Sequence, residues 1–160
     1  MNRTESPTFI EELVKRPFNF FVGRQIDYAL SVEASLKLRE VTYLNSVAYP
    51  AGELKHGTIA LIEKGVFVFA LATDKEVFDK TKTNMIEAKS RGAYTVFLTT
   101  DKLDNEEIEA DIKLIIPDVG NILQPLITIL PFQLLSYQTA KYLGLDLDHP
   151  RNLAKSVTVE

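Results

Sequence analysis

SVEASLKLRE, residues 31–40, sits inside a longer run from Ile26 to Leu44 that reads as a single helix. At about 100° of rotation per residue, Ile26, Ala29, Leu30, Glu33, Lys37, Glu40 and Leu44 fall within about 60° of one line along it. Ser31, Ser35 and Thr42 take the opposite side. The first group predicts the buried face and so puts Glu33, Lys37 and Glu40 on the apolar side, where charge is costly unless it is paired or put to use. They can pair, because Glu33 to Lys37 is an i,i+4 contact and Lys37 to Glu40 an i,i+3 contact. Two readings stay open on this pattern. One is an ordinary ladder of charges at a wet helix edge. The other is the wall of a pocket, with Glu40 as proton-transfer base and Lys37 holding its charge in place.

Immediately upstream, Phe18 to Val22 is a short, mostly apolar run closed by Gly23, which suits a buried strand. Strand, glycine turn and helix together predict the first unit of a parallel α/β sheet, where ligands sit at the carboxyl ends of strands. FVGR, residues 21–24, is too short to be a phosphate loop. Further upstream, Ser6 and Pro7 start a short helix that Pro17 stops, so residues 1–17 read as a connector.

Downstream, Ser46 to Tyr49 makes a short strand, Pro50 and Gly52 force a turn, and Glu53 to His56 make a helical turn that Gly57 ends. Histidine is the side chain whose ordinary charge change falls near neutral pH, and the glycine after His56 allows close approach of another surface. A lone loop histidine also fits a purely structural role. The other histidine, His149, gives it no metal-ligand spacing, so no metal is expected. The rest of the chain alternates apolar runs with helical patterns. Val66–Ala72, Tyr94–Leu98 and Ile112–Ile116 read as strands, and Lys75–Arg91 as an amphipathic helix. Thr73, Asp74, Thr99 and Asp101 end strands where residues of these types either touch a ligand or, more often, serve as caps and turn formers, and the sequence leaves them unassigned. Ile122–Leu143 is apolar over much of its circumference and is expected to be buried in the core or against a partner, with Pro131 kinking or dividing it. Gln124, Gln133 and Lys141 within it argue against a membrane span.

With 160 residues, the chain has the usual size of one domain. Its 18 Lys and Arg against 22 Asp and Glu, spread without long blocks, leave no basic stripe for nucleic acid. The absence of Cys excludes disulfides, thiolate nucleophiles and Cys-bound metals, and fits a reducing compartment. The amino terminus lacks the apolar core of a secretory signal, so a cytoplasmic protein is expected. The tail after residue 143 mixes Leu145, Leu147, Leu153, Val157 and Val159 with polar residues, which predicts that it docks. A lysine at position 155 in a docked tail would lose solvation, drop in pKa and become a nucleophile toward a ketone.

Three motifs, SVEASLKLREVTYL, AGELKHG and above all the ending PRNLAKSVTVE, resemble the carboxyl-terminal half of the isomerase portion of the glucosamine-6-phosphate synthases. The resemblance runs from about Phe18 onward. It implies a flavodoxin-like three-layer sugar isomerase (SIS) domain with a mostly parallel five-stranded sheet. Residues 18–143 would be the second SIS subdomain, and 144–160 a tail carrying the catalytic lysine. By the same resemblance, Glu40 matches the base that moves a proton between carbons 1 and 2 of the open-chain sugar, with Glu33 and Lys37 its companions. His56 matches a histidine that helps open the sugar ring and is donated across a dimer interface, and Lys155 the lysine that forms a Schiff base with carbon 2 of fructose 6-phosphate. The product would be glucosamine 6-phosphate, with no cofactor. Asn45 and Thr58 depart from relatives that carry His and Pro there. The synthase's glutaminase domain, with its amino-terminal Cys, and the Ser/Thr-rich phosphate loop of the first SIS half have no counterpart here, so the chain is expected to be a fragment that is inactive alone. A fructosamine-phosphate deglycase and a non-catalytic sugar-phosphate-binding module are the alternatives.

Overall fold

In the computed structural model, which describes residues 7–104, 107–151 and 153, nine main elements follow one another. They are α1 (Pro7–Val14), β1 (Asn19–Gly23), α2 (Ile26–Thr42), β2 (Ser46–Pro50), β3 (Phe67–Ala72), α3 (Phe78–Lys89), β4 (Tyr94–Thr100), β5 (Ile112–Ile116) and α4 (Gln124–Tyr142). The strands form one sheet in the order β2-β1-β3-β4-β5, and every neighbouring pair is parallel. A sheet that is parallel throughout must be covered on both faces, and the sequences FFV and FVFALA, apolar at every position, are what such burial requires.

Two cores result. On one face Phe21, Phe67, Phe69, Val96 and Leu98 meet Ala34 and Leu38 of α2 and Ile129, Phe132 and Leu135 of α4. There the Phe21 and Phe69 rings stack at 4.5 Å, with the Phe132 ring edge-on at 5.5 Å from Phe21. The α1 helix joins this same core through Phe9, Ile10 and Leu13. On the other face Phe20, Val22, Val68, Ala70 and Phe97 meet Phe78, Met85 and Ala88 of α3 and Ala51, Leu54 and Ile62 of the crossover from β2 to β3. The α2 crossover runs outward from β1 to β2, and the next returns past β1 to β3. The crevice between the carboxyl ends of β1 and β3 is therefore the topological switch point of the sheet.

The orientation of α2 differs from the sequence expectation. Asp27, Ser31, Ala34, Ser35, Leu38 and Thr42 are its buried residues, whereas Ile26 is 47% exposed. The hydroxyl side is thus the core side. Ser31 Oγ donates to the Asp27 carbonyl at 2.8 Å, Thr42 Oγ1 donates to the Leu38 carbonyl, and Ser46 Oγ of β2 donates to the Ser35 carbonyl at 2.7 Å. Hydroxyls satisfied in this way behave as small side chains, and small side chains let a helix lie close to a sheet. Glu33, Lys37 and Glu40 consequently face away from the sheet, not into an apolar side.

The α4 helix runs through Pro131 without being divided. It buries one side only. Ile122, Leu126 and Leu130 are 91%, 63% and 52% exposed and leave an apolar stripe in solvent. No helix among the described residues is long and apolar enough to cross a membrane.

Gln25, between β1 and α2, has φ 52° and ψ −123°, a conformation that glycine adopts freely and L side chains rarely. Such strain costs of order 1–3 kcal/mol. Gln25→Gly should therefore stabilise the chain by about 1 kcal/mol after the extra backbone entropy of glycine is subtracted. A rise of about 2–4 °C in thermal midpoint would register it; an unchanged or lower midpoint would mean that the turn is not strained.

Candidate active site

The charged ladder of α2 is assembled as its spacing predicts. Lys37 Nζ lies 2.9 Å from Glu40 Oε2 and 3.5 Å from Glu33 Oε1. The hydrogen bond to Glu40 pushes the Lys37 pKa up against its partial desolvation, and the charges of Glu40 and Glu33 add to it. Lys37 therefore stays a cation and orients the Glu40 carboxylate. The Glu40 side chain is 27% exposed, the most covered of the three, so it is open on one side to a ligand.

The last turn of α2 is also where the tail returns. Tyr43 closes the helix in the left-handed conformation at φ 62°. Its hydroxyl accepts the Arg151 backbone N–H at 2.8 Å, and the Arg151 guanidinium lies 4.0 Å above its ring. The tail thus touches the end of α2 at Arg151, while Leu153, one of the residues expected to dock, is 51% exposed. Lys155 lies outside the described residues.

His56 is not brought to this group. It is exposed in the turn after the 3-10 segment Ala51–Glu53, its N–H donating to the Glu53 carbonyl at 3.0 Å. Its neighbour Leu54 is buried in the core on the α3 side, whereas Ala34 and Leu38 of α2 belong to the opposite core. The sheet stands between His56 and Glu40 of one chain.

Sequence reasoning did not find Asp27, which is fully buried at the start of α2. Its carboxylate accepts the Thr73 N–H at 2.7 Å, the Thr73 hydroxyl at 2.6 Å and the Asp74 N–H at 3.3 Å. Burial pushes its pKa up against those hydrogen bonds. The loops at the carboxyl edge of the sheet are capped in the same manner. Asp74 takes the Glu76 N–H at 2.8 Å, Asp101 the Asp118 N–H at 3.0 Å, Asp118 the Gly120 N–H at 3.1 Å, and Gln124 the Val119 N–H at 3.0 Å. A cleft of about 980 Å³ opens there, lined among others by Gln25, Thr73, Asp74, Glu76, Lys102 and Asp118. The Thr73, Asp74, Glu76, Val119 and Gly120 amides beside it are taken by carboxylate and amide oxygens, and its charged lining mixes Asp74, Glu76 and Asp118 with Lys75 and Lys102. Of the strand-ending residues that the sequence leaves unassigned, Thr73 donates to Asp27, and Asp74 and Asp101 accept loop amides, so these three tie the loops together. No group of three or more His, Cys, Asp or Glu among the described residues is placed to hold a metal.

A model of the SIS domain family matches residues 12–141. The glutamine–fructose-6-phosphate aminotransferase (isomerizing) of Caldanaerobacter subterraneus subsp. tengcongensis is 50% identical over 143 residues, covering 88% of this chain and 23% of that protein. The enzyme of the same description from Bacillus subtilis is 48% identical over 141 residues, again 88% of this chain and 23% of the relative. The chain therefore spans less than a quarter of the length of these relatives. Among solved structures, the C-terminal domain of glucosamine-fructose-6-phosphate aminotransferase from Francisella tularensis aligns with a TM-score of 0.81 at 31% identity, covering 90% of this chain and 40% of that one. A putative tagatose-6-phosphate ketose/aldose isomerase from Clostridium novyi shares the fold, with a TM-score of 0.77 at 15% identity, 98% of this chain and 43% of that one. By sequence and by fold, the chain belongs to the SIS domain family.

Proposed function

We propose that this chain is the carboxyl-terminal part of the isomerase portion of a cytoplasmic glutamine–fructose-6-phosphate aminotransferase, which makes glucosamine 6-phosphate from fructose 6-phosphate and ammonia released from glutamine. Residues 18–143 are its second SIS subdomain, 1–17 lead into it, and 144–160 form the tail that carries Lys155. The observation that carries this reading is the Lys37–Glu40 pair at 2.9 Å on the turn of α2 where the tail docks.

In this reading the Lys155 amine adds to carbon 2 of the open-chain ketose and expels water as an imine forms. Ammonia then displaces the lysine and leaves its nitrogen on carbon 2. Glu40 takes a proton from carbon 1 and returns one to carbon 2, while the hydroxyl proton on carbon 1 passes to the nitrogen, which turns the ketose imine into an amino aldose. Lys37 holds the Glu40 carboxylate in place, and Glu33 balances the lysine's charge. His56 serves the ring-opening step from the other chain of a dimer, in keeping with its place across the sheet from the Glu40 of its own chain.

Homodimer formation has a second support in the exposed apolar residues Leu126 and Leu130 of α4, with Ile122 in the turn before it, since exposed apolar faces of this kind are usually covered in an assembly. Sedimentation at micromolar concentration should give a dimer of the 160-residue chain. A clean monomer would move the interface to the rest of the synthase or remove it. The function itself is tested by assaying glucosamine 6-phosphate formation by the full-length synthase with glutamine and with ammonia. A full-length protein that deglycates fructosamine phosphates and makes no amino sugar would replace this reading by the deglycase one.

A further inference from the structure

The turn between β1 and α2 has no part in the chemistry above, yet its residues are held more tightly than a strand-to-helix turn requires. Gly23 has no space for a side chain, because a Cβ there would lie 2.4 Å from the Asp27 carbonyl oxygen. Gln25 carries the strained φ of 52°. Between them, Arg24 reaches onto the face of the sheet covered by α3, where its Nη2 donates to Asn84 Oδ1 at 2.9 Å. Asn84 is held in turn by its Nδ2, which donates to Glu87 Oε2 at 3.3 Å.

The Arg24 guanidinium lies directly against Gly52. A Cβ on Gly52 would come 2.8 Å from Nη2, 3.2 Å from Nη1 and 3.3 Å from Cζ. No carboxylate pairs with Arg24 in the structure described, and its Nε is buried without a hydrogen-bond partner. A guanidinium that gives up an ion pair and buries an N–H is held at a cost in free energy, so its contacts with Asn84 and Gly52 are the gain that remains. Gly52 stands four residues before His56. Past it the loop is closed by the His56 N–H on the Glu53 carbonyl at 3.0 Å and the Ile59 N–H on the Leu54 carbonyl at 2.7 Å.

We propose that Arg24 is a positioning residue for His56. Its guanidinium, fixed by Asn84, is the surface on which the Gly52 turn is laid, and through that turn it sets where His56 projects. The proposal rests on the reading that His56 works in the sugar site; the clamp between Arg24 and Gly52 is testable without it.

Hydrogen exchange on the 160-residue chain reads the clamp alone. Arg24→Ala should speed exchange at the His56 and Ile59 amides about tenfold, the scale of one lost tie, while amides of β3 and β4 keep their rates. Gly52→Ala should do the same from the other side, and Arg24→Lys should fall between. Unchanged loop exchange in Arg24→Ala and Gly52→Ala would overturn the clamp. Catalysis then reads the positioning, through a double-mutant cycle with His56→Ala in the full-length synthase. If Arg24 acts through His56, the fall in kcat caused by Arg24→Ala should disappear once His56 is gone. Losses that multiply would make Arg24 merely structural and overturn the positioning role. A His56→Ala enzyme with full turnover would remove the His56 reading and this proposal with it, whatever the exchange result.

Discussion

Glu40→Gln in the full-length synthase should lower isomerisation at least roughly a hundredfold, the usual scale for a lost general base, with sugar-phosphate binding largely intact. Glutamine has the size and shape of glutamate and keeps an oxygen that can accept from Lys37, so the end of α2 should hold its geometry. What it cannot do is accept a proton from carbon 1. Exchange of solvent deuterium into carbon 1 of the bound sugar isolates that step from imine formation. Wild-type exchange in the variant would remove Glu40 from the role. Lys37→Ala should do less harm, because it frees the Glu40 carboxylate from a 2.9 Å partner but leaves the base in place.

The larger effect is expected from the 160-residue chain by itself, which should make no detectable glucosamine 6-phosphate from fructose 6-phosphate and ammonia. A phosphate dianion is held in register by converging hydroxyls and free backbone amides. At the carboxyl edge of this sheet the Thr73, Asp74, Glu76, Asp118 and Gly120 amides are already bonded to aspartate side chains. An unoriented substrate can forfeit about 7 kcal/mol or more of barrier lowering, roughly a hundred-thousandfold in rate, even with every reacting side chain present. Sugar binding should be millimolar or weaker by calorimetry. Turnover by the chain alone would point to a phosphate site near the end of β4. There the Thr100 hydroxyl is buried without a partner, while that of Thr99 donates to the Ala72 carbonyl at 2.8 Å.

Sequence pattern revealed most of the fold, because the strands of a doubly covered parallel sheet are continuous apolar runs bounded by turn formers. FVFALA shows it without any knowledge of its neighbours, and the VFL of β4 in shorter form. The face of α2 was misread for a physical reason. Ser31, Ser35 and Thr42 count as polar in a periodicity argument, but Ser31 and Thr42 turn their hydroxyls back to helix carbonyls and all three pack as small residues against the sheet. The charge ladder was legible because its partners lie three and four residues apart on one helix. Asp27 with Thr73, Arg24 with Asn84 and Tyr43 with Arg151 were not, because 46, 60 and 108 residues separate the partners and no local spacing announces them.

At the centre of the proposed function stands Lys155, read as the amine that bonds to carbon 2 of the sugar. Borohydride reduction of the full-length synthase with fructose 6-phosphate, without ammonia, followed by peptide mass spectrometry, tests this most directly. The account predicts a reduced sugar-phosphate adduct on Lys155, undiminished in Glu40→Gln because the base acts after the imine forms. An adduct on a different lysine, or none in an enzyme that turns over normally, would contradict it.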